Sequence, residues 1–282
     1  MNDVICRYID ERMKRCEEIY DINVIAWFLR DRGMPRKNSD LDIVFLFKNR
    51  ADRKCRAIHD IIGYGFDFWG WDIYDALETV ARSHEYFYLN PSAELEDVYI
   101  SAEHKRGGLG YFGGLYWMVG NQQVGGNAVF LSDGVALLDN LMEREIVVNY
   151  LMAPLKTRVD KMCYTNGMSS YEYLNTLWRL ELSRSILAGG KPGETNFIEL
   201  ANRFIEGETL LHVKSLLHVY RDSLSKYSQR FALASLNAFI VKEFGNIMAE
   251  MEKLVPERAE NSRDIMNRLE ELVLKIGEAK DM

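Results

Sequence analysis

The run Ser39-Asp40-Leu41-Asp42-Ile43-Val44-Phe45-Leu46-Phe47 constrains the fold of this chain more than any other stretch. It is apolar without a break from Ile43 to Phe47, too short for a helix, and so reads as a strand covered on both faces. Alternate side chains of a strand share a face, which sets Asp40 beside Asp42 and puts Leu41, Ile43, Phe45 and Phe47 on the opposite side. Two neighbouring carboxylates repel each other. A hard divalent cation such as Mg²⁺ removes that penalty, because it prefers carboxylate oxygens and keeps several waters for a phosphate-bearing substrate. The plainer account of the same pair is a solvated strand start, where Asp is common.

Around this strand the pattern gives an order of elements. Ile5, Tyr8, Ile9, Met13, Ile19 and Tyr20 recur at helical spacing, so residues 3–21 form an amphipathic helix. Asn23 to Leu29, NVIAWFL, is a second short apolar run and a second central strand. A basic loop with Gly33 and Pro35 separates the two strands, and a polar connector runs on to about His59. A third strand is expected from Gly65 to Trp69, with Asp67 in its middle between Phe66, Phe68 and Trp69. A carboxylate there is not placed for packing, since an unpaired buried charge is costly. Asp72 suits a helix N-cap, with Asp75 in the first turn.

Residues 93–138 change in character, rich in glycine and aromatics. Gly108, Gly110 and Gly113 satisfy GxGxxG, with Asp133 at about the distance of a ribose-binding acid. The preceding Glu-His-Lys-Arg is no hydrophobic strand, so glycine turns in a hairpin or flap explain the segment better than a dinucleotide site. From residue 139 onward, Leu138–Cys163, Ser170–Leu187, Asn196–Ile205, Leu210–Tyr227, Phe231–Leu254 and Arg263–Glu278 all carry helical apolar spacing. The expectation is an α+β chain with a mixed-sheet core over 1–92, an insertion over 93–138 and a helical domain over 139–282.

Charge and composition narrow the function classes. The 282 residues are 48% apolar and 27% charged, ordinary for a folded protein. A net charge of −7 argues against indiscriminate coating of nucleic acid. Locally the balance reverses: from Arg30 to Arg56 there are nine basic residues against four acidic ones, a basic collar around the Asp pair. Such a collar either binds phosphate or is a solvated loop face. The charged N-terminus is unlike a secretory signal and no apolar run approaches about 20 residues, so a cytoplasmic protein with no membrane partner is expected. Cys6, Cys16, Cys55 and Cys163 form no CxxC pair, which fits reduced thiols rather than zinc or disulfides. The histidines at 59, 84, 104, 212 and 218 are scattered, and His212 and His218 show neither the i, i+4 spacing nor the acidic neighbour of a zinc helix.

Helix, strand, loop, strand with DxD and a later strand with a third acid resembles the nucleotidyltransferases of the DNA polymerase β superfamily, in particular the branch associated with RNA repair. The likeness rests on SDLDIVFLF, on DFWGWDIYDAL followed by Leu89-Asn90-Pro91, and on the block Tyr171 to Leu200. It spans roughly residues 20 to 91 and 140 to 200. The resemblance implies a polymerase-β-like core with a helical C-terminal domain, and Asp40, Asp42 and Asp67 as catalytic and metal-binding acids. It further implies Mg²⁺ or Mn²⁺ as cofactor, an NTP as substrate, and Arg30, Gly33, Arg36, Lys37 and Ser39 around the nucleotide. The acceptor would be an RNA end or a protein hydroxyl.

The chain also departs from that family. A Gly-Ser pair that cradles phosphate is replaced by Phe28-Leu29, Phe87 stands in place of an acid, and Glu172 and Trp178 stand in place of a Lys and an Arg. The second expectation is therefore a catalytically degenerate binding protein on the same scaffold, an antitoxin or a phage-encoded inhibitor of a host defence complex. Its partner, or a second copy in a homo-oligomer, would dock through the insertion or the C-terminal helices.

Overall fold

The computed structural model describes residues 2–20, 24–30, 41–48, 66–73, 124–141, 144–162, 167–190, 196–223, 225, 229–253, 267, 268, 270–272, 274 and 275; for Arg30, Leu41 and 66–72 it describes the backbone. Among the described residues the fold is mixed α+β, mostly helical, with a small four-stranded sheet and a separate two-stranded ladder. Helix α1 (Asn2–Tyr20) precedes strands β1 (Val24–Arg30), β2 (Leu41–Phe47) and β3 (Phe66–Asp72). A short β4 (Val124–Gly126) completes the sheet in the order β3-β2-β1-β4. β1 runs antiparallel to β2 and to β4, whereas β2 and β3 are parallel. A parallel pair needs a crossover, which residues 48–65 supply.

Both faces of β1 and β2 are covered, as their unbroken apolar runs require. On one side Trp27, Leu29, Ile43, Phe45 and Phe47 pack with Ile9, Met13 and Cys16 of α1. On the other, Phe28, Val44 and Leu46 join a much larger core built by the C-terminal helices. The α1 face is locked by Trp27, whose indole Nε1–H donates to Asp10 Oδ1 at 2.7 Å. Ile19, placed in the buried stripe from its spacing, is instead 54% exposed, whereas Cys16 is fully buried. Asp72 ends β3 and Ile73 is already helical, the place of a cap.

β4 comes from the stretch expected as a glycine-rich flap, and it pairs Ala26, Trp27 and Phe28 with Gly126, Gly125 and Val124. Asn127 follows at once and accepts the backbone N–H groups of Val129 and Phe130 on its side-chain oxygen, at 2.9 and 3.2 Å. That cap starts a helix that widens into a π-turn (Phe130–Gly134) before α2 (Val135–Leu141). The single helix expected over 138–163 is two, α2 and α3 (Arg144–Met162).

The helical layer is organised around α4 (Ser170–Leu187), which packs against α3, α5 (Phe197–Phe204), α6 (Gly207–Asp222) and α7 (Ala234–Met251). A capping box opens α4: Glu172 N–H donates to Ser169 Oγ while Ser169 N–H donates to Glu172 Oε2 at 2.8 Å. Just before it, β5 (Met168–Ser169) pairs with β6 (Arg230–Phe231). Gly167 is required there, because at its φ of +92° a Cβ would run into the Phe231 carbonyl. Phe231, expected inside the longest helix, lies in this short ladder, and α7 begins three residues later. Leu236, Ile240 and Ile247 form the buried line of α7.

Candidate functional site

Asp42 and Asp67, two of the three acids in the described sheet, are register partners. In the parallel ladder Asp42 of β2 stands opposite Asp67 of β3, and in the antiparallel ladder Arg30 of β1 stands opposite Asp42. One row across three strands therefore reads Arg30, Asp42, Asp67. Asp42 and Asp67 are each the second residue of their strand and Arg30 is the last of its own, so the row marks one end of the sheet.

Burial changes abruptly at this end. Residues Ile43 to Phe47 are buried, while Asp42 is only half-buried and engaged in an electrostatic or hydrogen-bonding contact of its own. Val44 and Leu46, two and four residues on, belong to the large core, which places Asp42 at the margin of that core on the side of the helical layer. Gly33, Arg36, Lys37, Ser39 and Asp40 lie outside the described residues. All five belong to the ten-residue link that leaves the sheet at Arg30 and re-enters it at Leu41.

Phe28 and Leu29 stand where the resemblance calls for a Gly-Ser pair. Phe28 is fully buried in the large core and Leu29 is buried against α1, on opposite faces of β1. No phosphate reaches either position. The two departures in α4 have structural reasons too: Glu172 closes the capping box and Trp178 is a core side chain.

Sequence reasoning missed the partners of the histidines. His212 lies 4.0 Å from Glu208 and 3.3 Å from Ser235 Oγ, and His218 lies 3.6 Å from Asp222. Each has one carboxylate within its own helix, which tethers a side chain but makes no metal site. Among the described residues no group of three His, Cys, Asp or Glu side chains could hold a metal ion. Cys6 and Cys16 are free thiols, and burial pushes Cys16 up to about 11, which keeps it protonated and unreactive. Among the described residues no helix is long and apolar enough to cross a membrane.

Compared with protein-family models, with curated proteins and with solved structures, the chain finds no match.

Proposed function

We propose that this chain is a metal-dependent nucleotidyltransferase with a polymerase-β-like core, moving a nucleoside monophosphate from an NTP to an RNA end or a protein hydroxyl. The register of Asp42 with Asp67 is the observation that carries this reading. Two ionised carboxylates held at the spacing of adjacent strands, about 5 Å, would repel by about 3 kcal/mol at an effective dielectric of about 20. A cation bound between them would offset that repulsion.

The donor set fits that cation, since hard carboxylate oxygens are what Mg²⁺ and Mn²⁺ take. Asp40, Asp42 and Asp67 would hold it, and when bound it would neutralise triphosphate charge. The remaining work falls to the chain. Arg30, with Arg36, Lys37, Gly33 and Ser39 of the adjoining link, would grip and orient the triphosphate. Asp67 would orient the acceptor hydroxyl and take its proton. The acceptor oxygen forms a bond to the α-phosphorus, the bond from that phosphorus to the bridging oxygen breaks, and pyrophosphate leaves.

Buried Phe28 and Leu29 favour a second reading, a binding protein on this scaffold that has lost the triphosphate cradle and acts by occupying a partner, as an antitoxin or an inhibitor of a defence complex would. One experiment separates the two. The chain is incubated with α-labelled NTPs, Mg²⁺ and pooled RNA or protein acceptors, and ATP binding is titrated calorimetrically in parallel. The enzyme transfers label, and Asp42→Asn lowers transfer about a hundredfold or more. Absence of both transfer and nucleotide binding, together with a copurifying protein partner, establishes the second reading instead.

A further inference from the structure

α4 is buried around most of its circumference, so its polar side chains must find partners inside the protein. Glu181 fares worst. Its side chain is fully buried and, among the described residues, neither carboxyl oxygen has a hydrogen-bond partner. Among the described residues its ion-pair partner is Arg184, one turn along, with Nη1 3.5 Å from Glu181 Oε2. That same nitrogen is closer to another carboxylate, 3.0 Å from Glu243 Oε2 on α7. The Arg184 guanidinium also lies over the Phe204 ring of α5, which fixes it between the helices. Glu243 is itself only 8% exposed, and its Oε1 accepts from Asn246 Nδ2 at 3.3 Å. One guanidinium thus serves two carboxyls where α4 meets α7.

With both carboxyls ionised, the cluster would carry an uncompensated negative charge in the interior. Burial pushes the Glu181 carboxyl up to about 8; Arg184 works against the shift and Glu243 adds to it. Of the other cations on the helices packed against α4, Arg203 of α5 reaches Ser185 and Arg179 of α4 itself donates to the Leu151 carbonyl of α3. Arg184 also walls a cavity of about 300 Å³ together with Glu243 and Lys253.

We propose that Glu181, Arg184 and Glu243 form a proton-linked clamp, which holds α7 on α4 while Glu181 keeps its proton and frees α7 as that proton is lost. Release would uncover Leu236, Ile240 and Ile247 with the half-buried Phe239, Phe244 and Met248 beside them, an apolar line interrupted by Glu243. The direction follows from the higher proton affinity of the docked state. Docking is strongest below the ordinary carboxylate pKa of 4.5, weakens as pH rises towards about 8, and levels beyond it. One proton linked to release changes the docked-to-released ratio about tenfold per pH unit inside that window.

Hydrogen exchange read residue by residue tests this in the full chain. With the intrinsic pH dependence of exchange removed, protection of the α7 amides should fall about tenfold per unit between pH 5 and 8 and then flatten. Glu181→Gln mimics the protonated side chain and should make α7 protection independent of pH. Glu243→Gln should move the start of the flat region to lower pH, because Arg184 is then left to Glu181 alone. The clamp is refuted if α7 protection in the parent does not change with pH, if Glu181→Gln keeps the slope, or if Glu243→Gln leaves the flat region where it was. An equal slope in the α1 amides refutes it as well, since the linkage would then belong to unfolding of the whole chain.

Discussion

Asp42 is the register partner of Asp67 in the parallel ladder and of Arg30 in the antiparallel one, so the three residues share one row of the sheet. Two acids and one base in a single row can bind a cation and a phosphate only if the acids need a third party. In chelator, Asp67→Asn should therefore raise the unfolding midpoint, the relieved repulsion being about 1–3 kcal/mol. In millimolar Mg²⁺ the order should invert, because the parent gains stability from the ion and the variant does not. Thermal unfolding with and without Mg²⁺ measures both. A midpoint for the parent that ignores Mg²⁺ would remove the metal from the site.

Restoring a phosphate cradle should fail in a specific way. Phe28 is fully buried in the large core, so Phe28→Gly opens a cavity and should cost at least the roughly 3–5 kcal/mol of a Phe→Ala change. Leu29→Ser adds a buried hydroxyl between β1 and α1. Urea unfolding gives the loss, and calorimetry should show no gain in ATP affinity.

The indole of Trp27 is only 1% exposed and its one donor is spent on Asp10. Asp10→Ala leaves that N–H buried without a partner and should cost about 1–3 kcal/mol. Asp10→Asn keeps an acceptor and should cost clearly less. Chemical denaturation of the two variants side by side reads the difference.

Gly125 lies directly against the same indole, where a Cβ would collide with the ring. Gly125→Ala should cost about 1–3 kcal/mol by displacing Trp27 or β4. A red shift of Trp27 emission, seen in a background where the other tryptophans are replaced by Phe, should accompany the loss.

Ser169 and Glu172 satisfy each other's backbone donors at the start of α4. Ser169→Ala should cost about 1 kcal/mol. Ser169→Thr and Ser169→Asp should recover most of it. Thermal melts suffice.

The central strands were legible because their apolar runs exceed what a one-sided strand would carry. Trp27 and Leu29 turn one way and Phe28 the other, as period-2 geometry demands. The register of Asp42 with Asp67 was not legible, because strand patterning does not encode how far a crossover advances between parallel strands. β4 carries no strand signal at all in Val-Gly-Gly; its glycines are there for the Trp27 ring and for Gly126 at φ +129°. α4 showed helical spacing, but nothing in a single sequence told that Thr176, Glu181 and Ser183 would sit on buried faces. That follows only once α3, α5, α6 and α7 surround the helix, and with it comes the Glu181 cluster. Likewise Ser235 meets His212 only because α6 and α7 pack against each other.

The sheet divides the apolar interior into two unequal halves, with Trp27 in the smaller and Trp178 in the larger. Only α1 shields the smaller half among the described elements, whereas several helices interlock over the larger. Denaturation followed at Trp27 alone should run ahead of the same transition followed at Trp178. The chain would then melt in two steps, and a single midpoint would be an average of two events rather than a property of either.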